Sequence, residues 1–147
     1  MDDEQRESLP DGQKVATEVC EADFKRFCNT MDIDVDPKGQ DDDDKKSLND
    51  CKRTMMRAME RGFLVVSDEG EPVYTPQGGD PEFRSAITFH EPKGEAWMAR
   101  DGIKDTHDTK KMYSTMANMT GLSVARFNRM AGRDLKVCVA VTLLFLG

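Results

Sequence analysis

An α+β fold, with a small β-hairpin or sheet, several short helices and a mainly helical C-terminal half, is what this 147-residue chain predicts. Three observations carry that expectation. Apolar residues recur at helical spacing in two segments ahead of Gly62, two β-rich runs then flank a tight turn, and beyond Pro92 Gly, Ser and Asp punctuate the chain into short helices.

Residues 1–16 show no periodicity and read as a mobile arm. From Thr17 to about Met31 the residues Val19, Cys20, Phe24, Phe27, Cys28 and Met31 fall on one stripe, which predicts a helix. The stretch from Asp32 to Asp44 is expected to be an exposed loop, because like charges repel and Pro37 and Gly39 interrupt any period. A second helix is predicted to begin at Ser47, whose hydroxyl can cap free N–H groups, with Asp50 complementing the dipole. Leu48, Cys51, Met55, Met56 and Met59 share its inner face, and Gly62 supplies the stop.

Phe63 to Val66 and Glu71 to Thr75 read as a hairpin whose turn places Gly70 at positive φ. Such a hairpin needs further cover, and Ala86 to His90 is the candidate third strand. Between them Pro76 to Pro81 reads as a linker, dividing a helix–loop–helix and hairpin region (17–76) from a helical region (86–147). That second region should hold helices at about Gly94 to Arg100, about Thr106 to Met119, and a pair from Ser123 to Phe145 divided near Arg133. Gly121 ends one helix, Ser123 caps the next and Asp134 is placed to cap the last.

The composition bounds the function. Hydrophobic residues make up 37%, charged residues 33% and aromatic residues 7%, so a single core with exposed polar segments is expected. Residues 1–50 carry 16 acidic against 7 basic side chains, and the remainder carries 12 against 14. An acidic arm repels phosphate, which argues against nucleic acid as a partner. Four widely spaced cysteines and no apparent leader read as a cytosolic protein with free thiols. The apolar run Val137 to Leu146 is about half of the ~20 residues that a membrane span needs.

Few motifs offer chemistry. Asp32-x-Asp34-x-Asp36 has the opening of a calcium loop, but the sixth position is Pro37 and the twelfth is Asp43, so a solvated acidic loop is the reading. Asp41 to Lys45 matches the enteropeptidase recognition string, and an exposed loop there would be cut. His90 and His107 stand without ligand or triad spacing, and no phosphate-binding, dinucleotide or Cys-x-x-Cys pattern occurs. The chain therefore reads as no enzyme, with no catalytic residue, cofactor or metal. Ten methionines, most of them within predicted helices, fit both a core and an adaptable binding surface. The terminal run, apolar on every side, fits two placements: a central core helix, or an interface in a homo-oligomer or with a partner.

A further set of features runs from Ile87 to Phe145. A strand ending in Glu91-Pro92 leads to a helix with Trp97, an Asp108-containing helix ends in Thr120-Gly-Leu-Ser123, and Asp134 follows eleven residues later at the start of an apolar helix. In this order the segment resembles the tail assembly chaperones of tailed bacteriophages. The first half departs from that pattern, since members usually begin near the first strand. The resemblance implies a non-enzymatic protein of the bacterial host cytoplasm that binds the phage tape measure protein, keeps its helices in solution and helps recruit tail tube subunits. A tube or completion protein that stays in the virion is the alternative. For partner contact the large apolar groups Trp97, Met112, Met116, Leu143, Leu144 and Phe145 are the candidates.

Overall fold

The computed structural model describes residues 12–36, 38–39, 41–79, 81–98 and 109–146. Helix α1 (Thr17–Thr30) and helix α2 (Asp42–Glu60) precede a hairpin of β1 (Leu64–Val66) and β2 (Pro72–Tyr74). Among the described residues a 3-10 turn (Pro81–Phe83), strand β3 (Ile87–Thr88) and four helices follow, α3 (Gly94–Met98), α4 (Thr109–Thr120), α5 (Val124–Asn128) and α6 (Gly132–Leu146). The α+β class is the one expected, with the C-terminal half mainly helical.

The predicted stripe of α1 is buried at Cys20, Phe24, Phe27 and Cys28, but Val19 is 51% exposed. The helix ends where Asp32 adopts a left-handed φ of 54°, and Ile33 N–H donates back to the Cys28 carbonyl at 2.8 Å. Beyond it Asp32, Asp34 and Asp36 are exposed while Ile33 and Val35 pack against the core. The alternating acids are thus the outer half of a segment whose other residues face inward.

Helix α2 begins five residues before the expected Ser47. Asp41 is its N-cap, its carboxylate accepting from Asp44 N–H at 2.8 Å, and Asp42, Asp43 and Asp44 occupy the first turn. Charge repulsion argued for a loop, yet successive residues splay around a helix, and each acid near the positive dipole end stabilises it by about 0.3–1 kcal/mol. A capping Asp adds about 1 kcal/mol more. The inward face is the one predicted, with Leu48, Cys51, Met55, Met56 and Met59 all buried.

The sheet is antiparallel in the order β1-β2-β3, pairing Leu64 with Tyr74 and Tyr74 with Ile87. Leu64, Val66, Tyr74 and Ile87 are buried, and Val65 turns outward. Gly70 has a φ of 79°, and a Cβ there would come within 2.6 Å of the Thr30 side chain, so α1 rests directly on the hairpin turn. Arg26 fastens the same contact, donating to the carbonyls of Ser67 at 2.5 Å and Val66 at 2.8 Å. Part of the expected N-terminal arm is also held: Lys14 and Val15 N–H both donate to the Glu60 carbonyl, at 2.7 and 2.9 Å. Residues 1–11 of that arm lie outside the described residues.

A single buried cluster draws on α1, α2, the sheet, α4, α5 and α6. Phe145 of α6 meets Phe27 of α1 edge-to-face with ring centres 5.2 Å apart, and Phe89, Phe127, Met116, Val141 and Leu144 are fully enclosed. Burying each such side chain stabilises the fold by about 1.5–3 kcal/mol. Ser123 caps α5, accepting from Arg126 N–H at 3.3 Å. Of the two placements open to the terminal run, α6 takes the central one, with only Leu135, Val139 and Leu143 among its apolar side chains partly exposed. Among the described residues no helix is long and apolar enough to cross a membrane.

Candidate functional site

Helix α2 packs along α6, and the junction leaves an open groove of about 580 Å³. Asp50, Cys51 and Thr54 of α2 line it together with Gly132, Leu135, Lys136, Val139, Ala140 and Leu143 of α6. Leu135, Val139 and Leu143 are four residues apart and therefore make one ridge along α6. The half-buried ridge, with buried Cys51 and Ala140 beside it, is an apolar track. Asp50 on α2 and Lys136 on α6 give its two sides opposite charge. Asp50 is shared with Arg53, 3.5 Å away at the surface, a contact of little energetic weight.

The groove's chemistry is that of contact. Burial, reinforced by nearby Asp50, pushes the Cys51 thiol up to about 11, so the sulfur stays protonated and is a poor nucleophile at neutral pH. Thr54 spends its hydroxyl on the Asp50 carbonyl at 2.9 Å. What remains is apolar surface bounded by one carboxylate and one ammonium.

The first turn of α6, which forms one end of the groove, is pinned from below by Asp134. This side chain was expected to cap the helix. It is instead completely buried and turned toward the segment after β2, where Oδ1 accepts from the Tyr74 hydroxyl at 2.6 Å and from Gln77 N–H at 2.8 Å. Oδ2 accepts from Gly78 N–H at 3.0 Å. The Ala131 carbonyl, not a side chain, begins the hydrogen bonding of α6. Burial and then the bond to Asp134 push the Tyr74 phenol far above its ordinary value, so it remains a donor. Gly78 lies so close that a Cβ would fall 2.8 Å from the Ala131 methyl and from Arg133 Nε. The expected linker is therefore a wrapped segment that seats the helix.

Of the residues singled out for partner contact, Leu143 lines the groove. Met112 and Met116 lie on the inner face of α4, and Leu144 and Phe145 on the inner face of α6, and all four are buried. Trp97 lies within α3. Leu135, Lys136, Val139, Asp50, Cys51 and Thr54 were missed. The spacing of Leu135, Val139 and Leu143 was a usable signal, but nothing local says that α2 lies alongside.

The other motifs are placed as follows. Nδ1 of His90 lies 2.6 Å from Glu71 Oε2, a partner across the sheet that sequence adjacency to Glu91 did not reveal, and the pair is at the surface. His107 and Asp108 lie outside the described residues. Asp34 accepts from Asp36 N–H at 2.9 Å, and among the described residues no three His, Cys, Asp or Glu side chains are grouped to hold a metal. Compared with known protein families, with curated proteins and with solved structures, the chain matches none.

Proposed function

We propose that this chain is a protein-binding assembly factor of the tail assembly chaperone kind, which seats a helix of the phage tape measure protein in the groove between α2 and α6. The observation that carries the reading is the ridge of Leu135, Val139 and Leu143, apolar side chains left partly uncovered on a helix whose other apolar side chains are buried. An amphipathic helix places side chains at matching intervals of three and four residues, and burying them displaces water from both surfaces. Asp50 and Lys136 on opposite sides favour one direction of the bound helix over its reverse. The acidic excess of residues 1–50 fits a factor that keeps an apolar client in solution within the bacterial host, since like charge opposes aggregation. The same factor would help recruit tail tube subunits, in keeping with the resemblance of residues 87–145.

Co-expression with a phage tape measure protein tests the reading. Co-purification of a partner that is insoluble alone is the expected result. No association and no gain in solubility would remove the proposal's support. Recovery of the chain from purified virions would favour a retained structural component.

A further inference from the structure

Arg126 lies in α5, just beyond the Gly121 corner, and its guanidinium carbon sits 5.6 Å from the centre of the Phe83 ring. That contact is a cation over an aromatic face. Along its Nε–Nη2 edge the same guanidinium is sealed from solvent, and among the described residues no acceptor reaches either nitrogen. No carboxylate pairs with Arg126 among the described residues. Nε–H and Nη2–H are the side-on fork of an arginine, two parallel donors spaced to meet the two oxygens of a carboxylate. A cationic donor withdrawn from water and left unmet is costly, and native proteins keep few of them.

We propose that the Nε–Nη2 edge of Arg126 is a recognition site for a carboxylate, which enters when the 3-10 turn Pro81–Phe83 lifts from the guanidinium. Phe83 is only half-buried, Pro81 and Glu82 are exposed, and residues 84–86 after the turn are exposed as well, so displacing the turn uncovers little apolar surface. The ring satisfies the charge in part through its face, and a carboxylate supplies the two hydrogen bonds that the ring cannot. The site is separate from the α2–α6 groove: none of the groove's lining residues belongs to α5 or to the 3-10 turn. It stands whether or not a tape measure protein binds there.

The arginine Nε–H resonances of the full chain, read by proton–nitrogen correlation, test it directly. The Arg126 signal is assigned by its loss in Arg126→Lys, and sodium acetate is then titrated against sodium chloride at matched ionic strength. A saturable shift of Arg126 Nε–H with acetate and none with chloride is expected. Phe83→Ala, which removes the ring that competes for the guanidinium, should lower the half-saturating concentration several-fold while leaving the backbone spectrum folded. Doubly blocked glutamate, compared with acetate, identifies the source: tighter binding of the blocked residue points to an acidic side chain of a protein, and tighter binding of acetate to a free small acid. An Arg126 signal that fails to saturate in both wild type and Phe83→Ala, or that answers chloride as it answers acetate, overturns the proposal.

Discussion

The Tyr74 hydroxyl donates to Asp134 Oδ1 across 2.6 Å, joining the sheet to the first turn of α6 over a sequence separation of 60 residues. With Gln77 and Gly78 N–H it completes a set of three donors around one buried side chain. Tyr74→Phe removes one donor and should cost about 1–3 kcal/mol of stability. Asp134→Ala strands all three and should cost more, about 3–5 kcal/mol. Asp134→Asn is no rescue, because its amide keeps the Oδ1 contacts but turns a second donor toward Gly78 N–H. Urea midpoints measure the order, and a Tyr74→Phe midpoint equal to wild type would contradict the role given to the hydroxyl.

The buried thiols set an upper limit to the pH range of stability. Burial pushes Cys28 and Cys51 up to about 11 and Cys138 up to about 12, against an ordinary value of 9.0. In the unfolded chain these groups ionise from about pH 9 upward, while the folded protein holds their protons, so the folded state binds more protons in that interval. Stability is therefore full below about pH 9 and falls as the pH rises toward 11. Urea unfolding at successive pH values should show that decline. The same thiols should react with iodoacetamide at least about a hundredfold more slowly in the native protein than in the denatured chain at pH near 8.

Lys45 should resist enteropeptidase. The recognition string runs from Asp41 into the first turn of α2, and Lys45 N–H already bonds to the Asp41 carbonyl at 3.1 Å. A protease needs an extended strand of several residues, which here requires undoing a capped helix start. Native protein should survive intact while the same chain in mild urea is cut after Lys45. Rapid cleavage of the native chain would mean that the segment is a loop.

The contrast at Lys45 shows where sequence reasoning held and where it failed. Periodicity sufficed for the inner face of α2 and for Phe24, Phe27 and Cys28, since a helix buries one stripe whatever it packs against. The hairpin and its third strand were readable from β-branched runs around Gly70. The start of α2 was not, because Asp41 to Asp44 weigh both as mutual repulsion and as cap and dipole partners, and the capping geometry decides. Asp134 stands where a cap would stand, yet the donors it meets lie 56 to 60 residues earlier in the chain. The groove escaped for the same reason: it exists only where α2 meets α6, and hydrophobicity alone drew attention to Leu144 and Phe145, which the core consumes.

Core and groove should separate in mutational cost. Met116 is fully buried, and Met116→Ala should destabilise the fold by about 2–5 kcal/mol. Leu143 is half-buried at the groove, and Leu143→Ala should cost about 1–2 kcal/mol. Thermal or urea denaturation of the two variants checks the order, and equal losses would mean that Leu143 is as enclosed as its neighbours.

The most direct test of the proposed role of the groove is the affinity of Val139→Glu for the proposed partner, a tape measure protein, beside the wild type and with folding checked by circular dichroism. Val139 stands at the middle of the ridge and is only partly buried, so a charge there should leave the fold intact. Loss of at least about tenfold in affinity, equivalent to about 1.4 kcal/mol, is the predicted result. A folded Val139→Glu that captures the partner as well as wild type would place the binding surface elsewhere and contradict the account.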